Sequence, residues 1–298
     1  MKMYSTVINK VERISEDLYV ITETESIHCY LLIGEKKALL IDTGWGYEDI
    51  KPLIKDITDR EVMVALTHGD PDHGMGAVHF DEFYIHPLDY GKLLRNDNYE
   101  ERKGMLTYRL KKLPELEPHI DVESYCHSRF SKETKVRFLL DHEVIDLGGK
   151  HVECILTPGH SYGHLMFLER ETGRLFSGDQ LMDGHNIWHF LTHDEQAPFQ
   201  TTLNSLKELK KREKEISEIY PAHAKAPIGK RCLDELIECF ESELNDNYKN
   251  DVPFHSYRGN GWQHFYKSVN LIYSDERLEE FLCHPITREN DLERSCED

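Results

Sequence analysis

Four residues with metal-binding side chains stand close together in residues 66–76, whose sequence is LTHGDPDHGMG. They are His68, Asp70, Asp72 and His73, and an apolar run that predicts a buried strand directly precedes them. Imidazole nitrogens and carboxylate oxygens at such spacing are ligands for divalent metal ions. Because a strand end is rigid and the loop contains glycine and proline, several of these side chains can converge on one point. The segment therefore predicts a metal site in preference to a solvated polar loop.

Further residues of the same types follow other predicted strands. TPGHSYGH supplies His160 and His164, FSGDQ supplies Asp179, YPAHAK supplies His223 and LIDTGW supplies Asp42. A single histidine or aspartate after a strand usually belongs to a capped turn and indicates little alone. Several such segments in order, each at a strand end, predict one shared site.

The strands and helices that position these segments are predicted to alternate along the chain. Apolar runs predict strands at residues 18–22, 29–33, 38–41, 62–66, 83–85, 144–147, 152–156, 165–168, 175–176 and 216–220. Apolar residues at helical spacing predict helices over residues 47–57 and 198–214. Residues 88–135 interrupt the alternation, since they are polar and predict a helix over residues 99–113. We interpret residues 88–135 as a helical insertion over the sheet edge or the site, and as a candidate lid.

The chain after residue 228 is predicted to extend a main domain that spans residues 1–228. Apolar residues recur there at helical spacing: Leu233, Leu236, Ile237, Phe240 and Leu244. Ser274 is a plausible N-cap for a further helix through Leu282. We therefore expect residues 229–298 to be mostly helical and to pack beside the metal site.

Composition narrows the function classes. The 298 residues include 36 Lys and Arg against 55 Asp and Glu, which gives a formal net charge of −19. This charge opposes binding to phosphate backbones and anionic lipid, so we expect a small-molecule substrate and neither a nucleic-acid nor a membrane partner. The sequence shows no signal peptide or membrane span, and the seven cysteines form no C-x-x-C pair, which favours a cytoplasmic protein. A homodimer is compatible with these features.

The order and spacing of the motifs resemble the metallo-β-lactamase-fold superfamily. The family pattern is an early aspartate, H-x-H-x-D-H, a histidine in P-G-H-x-x-G-H, an aspartate in S-G-D and a final histidine, and here it spans residues 15–225. The resemblance implies an α/β (α+β) fold, a four-layer αββα sandwich of two mixed sheets with the metal site on the edge between them. The helical insertion and the helical C-terminal extension would be additions to that sandwich.

Carried over motif by motif, the resemblance implies two divalent metal ions, zinc foremost and manganese or iron as alternatives. The implied ligands are His68 and His160 for the first ion, Asp72, His73 and His223 for the second, and Asp179 between them. Asp42 would orient the metal loop without ligating, and His164 would support the site without a metal role. Trp45, His185 and His189 are candidates for the wall of a substrate pocket, although core packing or a polar loop would account for them equally well.

Asp70 departs from the family pattern, which usually has a histidine at this position. Since a carboxylate can also ligate, we expect Asp70 to complete the first metal site, as a glutamate does in the flavodiiron branch of the superfamily. The extra carboxylate lowers the net charge of the site by about one unit, which favours harder ions such as manganese or iron. The alternative is that Asp70 only caps the turn before Pro71.

The resemblance implies a metal-dependent hydrolase, in which the metal pair generates hydroxide and Asp72 holds the nucleophile and accepts its proton. We expect a small ester, thioester or lactone as substrate, because the extension after His223 is similar in placement to the substrate-binding helices of glyoxalase II-like thioesterases. A second hypothesis is a non-haem iron oxidoreductase of the flavodiiron or persulfide-dioxygenase type, which Asp70 favours. A third is a metal-binding member of the fold without turnover.

Overall fold

The computed structural model describes residues 5–24, 26–184, 186–190, 195–245, 247–256 and 259–277. The first part of the chain forms a seven-stranded sheet in sequence order. Its strands are β1 (Asn9–Arg13), β2 (Leu18–Glu23), β3 (Ile27–Ile33), β4 (Lys37–Ile41), β5 (Glu61–Ala65), β6 (Glu82–Ile85) and β7 (Lys135–Phe138). Strands β1 to β4 pair antiparallel, whereas β4 to β7 pair parallel.

Helices make the parallel connections of this sheet, as parallel pairing requires a crossover. They are α1 (Lys51–Ile57), α2 (Pro71–Gly74), α3 (Pro87–Asn96), α4 (Tyr99–Lys112) and α5 (Val122–His127), with 3₁₀ turns at Met75–His79 and Pro114–His119. Helices α3 to α5 lie between β6 and β7, so the predicted helical insertion is confirmed, and α4 coincides with the helix predicted over residues 99–113. Helix α1 begins at Lys51, later than predicted, and Pro52 lies in its first turn, where proline is favoured.

The second sheet has five strands in the order β13–β11–β10–β9–β8. They are β8 (Val144–Asp146), β9 (His151–Leu156), β10 (Leu165–Glu169), β11 (Arg174–Gly178) and β13 (Glu218–Pro221). Between β11 and β13 lie β12 (Asn186–His189) and α6 (Phe199–Lys211), followed by a 3₁₀ turn at Glu213–Glu215, and α7 (Arg231–Glu243) comes after β13.

The alternation of side chains along the strands explains the layered core. In β4, Ala38 and Leu40 pack with the helices on the outer face, whereas Leu39 and Ile41 pack against the second sheet. In the same way Phe167 of β10 packs between the sheets, while its neighbours on the other face pack against α6 and α7. Helices, two sheets and helices therefore form the predicted αββα sandwich, whose inner strands, such as β4 and β10, are buried on both faces.

The prediction of a mostly helical C-terminal extension is wrong for the described residues. After α7 and a 3₁₀ turn at Asn247–Asn250, the chain forms β14 (Val252–Ser256), β15 (Gly259–Tyr266) and β16 (Val269–Ser274). With β12 they make a third sheet in the order β12–β16–β15–β14. The apolar spacing that indicated helix ends with α7. Strands β14 and β15 carry too many exposed residues to show a clear alternation, whereas β16 is mostly buried and its strand was not predicted. Where a helix was predicted from Ser274 to Leu282, the structure has a 3₁₀ turn at Asp275–Arg277. The rest of the predicted helix lies outside the described residues.

The third sheet shares the outer core of the sandwich. Leu271 and Tyr273 of β16 pack in the same cluster as residues of α6 and α7. The boundary predicted at residue 228 therefore does not separate two independent cores. Among the residues described, no helix combines the length and apolar character needed to cross a membrane.

Candidate metal centre

Strand ends of the first two sheets bring the predicted donors together. His68 follows β5, His160 follows β9, and Asp179 and His223 follow β11 and β13. Asp72 and His73 lie on α2, with Asp70 at its N-cap. The seven side chains are mostly buried, and their donor atoms face one another across the end of the sandwich.

Two groups of three donors are compact enough to hold a metal ion each. One group consists of His68, His160 and Asp179, and within it the ligand atoms lie within 4.8 Å of one another. The other consists of Asp72, His73 and His223, with the same limit. In the second group the Asp72 carboxylate stands 3.7 Å from His73 Nε2 and 3.5 Å from His223 Nε2.

Asp179 lies between the two groups. Its Oδ1 is 3.4 Å from both His73 Nε2 and His223 Nε2, and its Oδ2 is 3.8 Å from His160 Nε2. Bonds of about 2.0–2.2 Å to a shared ion would put tetrahedral ligand atoms at about such separations from each other, which are longer than good hydrogen bonds. Moreover, His68 Nε2, His73 Nε2 and Asp179 Oδ1 are buried and have no hydrogen-bond partner among the described residues. The donor set therefore fits divalent metal ions.

The other ring nitrogens are fixed from outside the centre. His73 Nδ1 lies 3.0 Å from Asp42 Oδ2, His160 Nδ1 lies 3.0 Å from the Trp188 carbonyl oxygen, and His223 Nδ1 lies 2.8 Å from the Ser26 carbonyl oxygen. A ring that donates from Nδ1 turns the Nε2 lone pair inward and becomes a better ligand. The backbone carbonyls of Trp188 and Ser26 were missed by sequence reasoning, because any residue can supply one.

Asp42 takes the orienting position predicted for it. Its Oδ1 accepts the backbone N–H of Thr67 at 2.7 Å, and its Oδ2 accepts the Thr67 hydroxyl at 2.8 Å as well as His73 Nδ1. The residue has φ of 61°, a left-handed conformation that aspartate adopts more readily than most residues. Thr67 Oγ1 in turn lies 2.9 Å from His68 Nδ1, so one aspartate fixes the two histidines of the loop.

Charges within the centre act strongly on one another. Burial alone would lower the pKa of His73, but the carboxylates of Asp179 and Asp72 raise it well above its usual value. Burial would raise the pKa of Asp179, but His223 and His73 hold it well below its usual value. Burial, with His73 nearby, lowers the pKa of His68 and keeps that ring neutral. A cation placed here would meet ionised carboxylates and the neutral His68 ring, and on binding it would displace the proton that the carboxylates favour on His73.

Asp70 faces the first group and is also paired with a buried lysine. Its Oδ2 is 3.0 Å from His160 Nε2 and 3.4 Å from His68 Nε2, while its Oδ1 contacts Lys92 Nζ. Lys92 lies on α3, and its side chain is only 4% exposed. Sequence reasoning missed this lysine, since it lies beyond β6 from Asp70 and its burial depends on how α3 packs. The added carboxylate therefore comes with a compensating positive charge.

Asp89, another residue missed by sequence reasoning, joins two loops of the centre. Its carboxylate accepts the backbone N–H groups of Gly69 at 2.8 Å and Gly163 at 2.7 Å, and the Ser161 hydroxyl at 2.6 Å. Its role could not be predicted from the local sequence, because an aspartate near the start of a helix is common.

His164 lies behind the donors. Its Nδ1 is 2.9 Å from Thr157 Oγ1, and its ring lies 5.3 Å from that of His68. Burial lowers its pKa well below the usual value, so it remains neutral, in keeping with a supporting position.

The three residues predicted to line a substrate pocket differ in where they lie. Trp45 is 9% exposed and stacks on Tyr47 beside residues of α4 and α5. His189, by contrast, lies in the core, where its ring packs edge-on against Phe199 and Phe240 and bonds to Thr202. Its expected place in a pocket is therefore corrected, because residue type alone does not distinguish a core histidine from a pocket histidine. His185 lies outside the described residues.

Comparisons with known proteins agree with this geometry. Residues 23–223 match the model of the metallo-beta-lactamase superfamily. The acyl-coenzyme A thioesterase MBLAC2 of Gallus gallus is 27% identical over 203 residues, which are 65% of this chain and 71% of that protein. The probable polyketide biosynthesis zinc-dependent hydrolase PksB of Bacillus subtilis (strain 168) is 24% identical over 200 residues, 66% of this chain and 72% of that protein.

Solved structures show the same fold. A metallo-beta-lactamase family protein from Thermus thermophilus superposes with a TM-score of 0.57 at 22% identity, covering 81% of this chain and 85% of that chain. A metallo-beta-lactamase from Pontibacter korlensis gives a TM-score of 0.54 at 18% identity, covering 78% and 99% of the two chains. Because the family model spans most of the sequence and every donor-bearing strand end, the chain belongs to the metallo-β-lactamase superfamily.

Proposed function

We propose that this protein is a metal-dependent hydrolase that cleaves a small acyl thioester with two divalent metal ions. The observation that carries the proposal is the position of Asp179 between two compact groups of donors, with unpartnered buried nitrogens directed toward the same space. Metal-dependent hydrolysis is the general activity that the family membership supports. The thioester class rests on relatives named as thioesterases or as a hydroxyacylglutathione hydrolase.

The donors divide between the two ions as the motifs imply. We assign His68, His160 and Asp70 to the first ion, with Asp179 shared between the two. Asp72, His73 and His223 would hold the second ion. Zinc is the first choice of metal, because each group combines two imidazoles with a carboxylate at separations that suit tetrahedral ligation. Bound divalent ions supply the positive charge that polarises an acyl carbonyl and lowers the pKa of water.

Asp72 is the residue that we propose to accept a proton from the attacking water. Its side chain is 24% exposed, against 16% for Asp70 and 11% for Asp179, so it is the most accessible carboxylate of the centre. His73 and His223 flank it at 3.7 and 3.5 Å and hold its orientation. A carboxylate positioned in this way can take the proton at one oxygen and pass it to the departing thiolate.

Lys92 alters the hypothesis drawn from Asp70. A third carboxylate at the first ion favoured harder metals and redox chemistry, but the ammonium group on Asp70 Oδ1 offsets the added negative charge. We propose that Asp70 ligates through Oδ2 while Lys92 holds Oδ1. The charge of the site would then equal that of the histidine-containing pattern, which supports hydrolysis over the iron oxidoreductase alternative.

The wall of the substrate pocket is proposed to include Trp45 and Tyr47. Buried Glu23 accepts the backbone N–H of Trp45 at 2.6 Å and that of Tyr47 at 3.2 Å, which fixes the turn after Asp42. Trp45 Nε1 and the Tyr47 hydroxyl have no hydrogen-bond partner in the described part of the chain. Helices α4 and α5 pack on this turn, which supports the proposal that the insertion over residues 88–135 acts as a lid.

The test is hydrolysis by the zinc-loaded protein of a panel of substrates. The panel contains an acyl-coenzyme A, an S-acyl glutathione, a simple carboxylic ester and a lactone, with thiol release or acid production as the readout. We expect a thioester to give the highest kcat/KM. Asp72→Asn should bind the second ion more weakly and should lose most of kcat even at zinc concentrations that restore full occupancy. Full zinc occupancy with no thioester hydrolysis above the Asp72→Asn level would overturn the proposal.

A further inference from the structure

A second cluster of ionisable side chains lies in the C-terminal part of the chain, away from the donors of the metal centre. Glu243 is the last residue of α7, Asp251 directly precedes β14, and His264 lies on β15. Their side chains are 0%, 1% and 9% exposed. One ligand atom from each lies within 4.8 Å of the other two.

The hydrogen bonding of this cluster is incomplete. His264 Nδ1 stands 2.6 Å from Glu243 Oε1 and 2.7 Å from Asp251 Oδ1, although one nitrogen can donate only one proton. The bond goes to Asp251, and neither oxygen of Glu243 accepts a hydrogen bond from any residue that the structure describes. His264 Nε2 is buried and likewise without a partner there. Tyr273 donates its hydroxyl to the second oxygen of Asp251.

A buried carboxylate without hydrogen bonds is costly unless a cation neutralises it. Two ionised carboxylates and a neutral imidazole would together carry two negative charges, the charge that one divalent ion offsets. Without metal, the counter-charge for both carboxylates is the His264 ring, because no lysine or arginine in the described chain pairs with Glu243 or Asp251. A bound ion would take the place of the proton on that ring.

We propose that Glu243, Asp251 and His264 bind one divalent transition-metal ion of the zinc class, at a site separate from the metal centre. One imidazole nitrogen and two carboxylate oxygens suit zinc or manganese, whereas calcium takes six to eight oxygen ligands. The Tyr273 hydroxyl orients Asp251 toward the ion. None of these residues belongs to the donor set of the centre.

This ion would clip together the end of α7, the loop before β14 and the middle of β15. Strand β15 pairs with β16, and β16 pairs with β12. The carbonyl oxygen of Trp188 on β12 lies against His160 Nδ1. The clip would therefore stabilise the third sheet, which in turn supports one donor of the metal centre.

The test counts zinc bound to the purified protein after equilibration with excess zinc and removal of free metal. Glu243→Gln preserves the shape of the side chain and removes its charge, and we expect it to bind one zinc equivalent fewer than the unaltered protein. Glu241→Gln is the matched control, because Glu241 lies on the same helix, is 43% exposed and pairs with Lys207. It should bind as much zinc as the unaltered protein. Equal zinc content in all three proteins would overturn the proposal.

A second measurement locates the ion in the unaltered protein. In crystals of the unaltered protein grown with zinc, anomalous scattering at the zinc edge should show a peak between Glu243 and His264 in addition to the peaks at the metal centre. His264→Gln should remove that peak alone. Peaks at the metal centre without one in the C-terminal cluster would also overturn the proposal, whether or not Glu243→Gln folds.

Discussion

The two carboxylate and imidazole clusters of this molecule are built in different ways. In the metal centre, donor atoms around Asp179 stand 3.4–3.8 Å apart, and backbone carbonyls or Asp42 fix the histidines from outside. In the C-terminal cluster, His264 Nδ1 lies within 2.7 Å of two carboxylates and its other nitrogen has no partner among the described residues. In the metal centre, the donor atoms are already far enough apart to surround an ion. In the C-terminal cluster, the donor atoms must move apart slightly before an ion can bind between them. We therefore expect the centre to bind zinc more tightly.

The largest effect should come from Asp179, which lies between both donor groups. Asp179→Asn keeps the shape but replaces one carboxylate oxygen by an NH2 group that cannot ligate, and it removes the negative charge that both proposed ions share. We expect zinc affinity and kcat/KM each to fall by at least about 100-fold, more than the loss typical of a residue that only supports a ligand. Zinc binding by calorimetry and the substrate panel measure these effects. Asp81→Asn, at an exposed aspartate, is the control and should change neither.

A substitution of Asp42 tests whether its hydrogen bonds to the metal loop keep the donor atoms of the centre at their spacing. In Asp42→Asn, one of the two positions that now accept protons becomes a donor, so either His73 Nδ1 or the Thr67 backbone N–H loses its acceptor. Asparagine also tolerates the positive φ of this residue, which keeps the backbone intact. We expect zinc affinity at the second ion to fall by about 10–100-fold. An unchanged affinity would show that the spacing does not depend on Asp42.

The donors of the centre could be predicted from the sequence because each motif carries its own strand signal. His68 and Asp179, for example, directly follow short apolar runs, so local pattern and motif order agree. Lys92 and Asp89 escaped prediction because their roles depend on the packing of α3 against distant loops. The C-terminal cluster escaped for a related reason: Glu243 is one of several acidic residues on an amphipathic helix, and nothing local indicates that β15 covers it.

The same contrast explains which parts of the fold could be predicted. Strands buried on both faces, such as β4 and β10, appear in the sequence as continuous apolar runs. β15 has exposed or half-exposed residues at most positions, so its sequence carries no comparable strand signal. β12 contains only four residues, and it is held in place by pairing with β16 across a long stretch of sequence.

Asp70 and Lys92 allow a sharper test, since they bring a buried ion pair into the centre itself. Lys92→Met leaves the Asp70 carboxylate without its counter-charge, and we expect the metal-free protein to lose about 3–5 kcal/mol in its free energy of unfolding. The double variant Asp70→Asn with Lys92→Met should recover most of that loss, because no unpaired charge remains. Denaturant unfolding with a chelator present measures both.

Metal content separates the two roles of Asp70. If Asp70 ligates as proposed, Asp70→Asn loses affinity for the first ion, while the ion held by Asp72, His73 and His223 persists. If Asp70→Asn retains as many zinc equivalents as the unaltered protein, with undiminished affinity, Asp70 only holds the turn and Lys92.

The smallest effect should be the pH dependence of the metal-free C-terminal cluster. Burial raises the pKa of Glu243 from 4.5 to about 7. A carboxyl group whose pKa is raised on folding contributes stability that is fully present below its unfolded pKa and is lost as the pH rises through the folded value. The groups that face it are Asp251, which opposes its ionisation, and His264, whose pKa is lowered by burial but raised to about 9 by the two carboxylates. The stability that His264 contributes also declines across this interval, because the unfolded ring loses its proton near pH 6.5 while the folded ring keeps it. Glu243 is therefore measured by the difference in pH response between Glu243→Gln and the unaltered protein.

Melting curves at pH 5 and pH 8, with chelator present, should therefore show that the Tm of Glu243→Gln rises relative to the Tm of the unaltered protein as the pH rises. An effect of about 1 kcal/mol corresponds to about 1.5–2 °C in Tm for a chain of this size. Glu241→Gln should follow the unaltered protein at both pH values, because that side chain is solvated. Added zinc should abolish the difference in pH response by neutralising Glu243 in the unaltered protein. A difference that is independent of pH would show that Glu243 is already neutralised in the metal-free state, and the contrast between the two clusters would then lose its electrostatic basis.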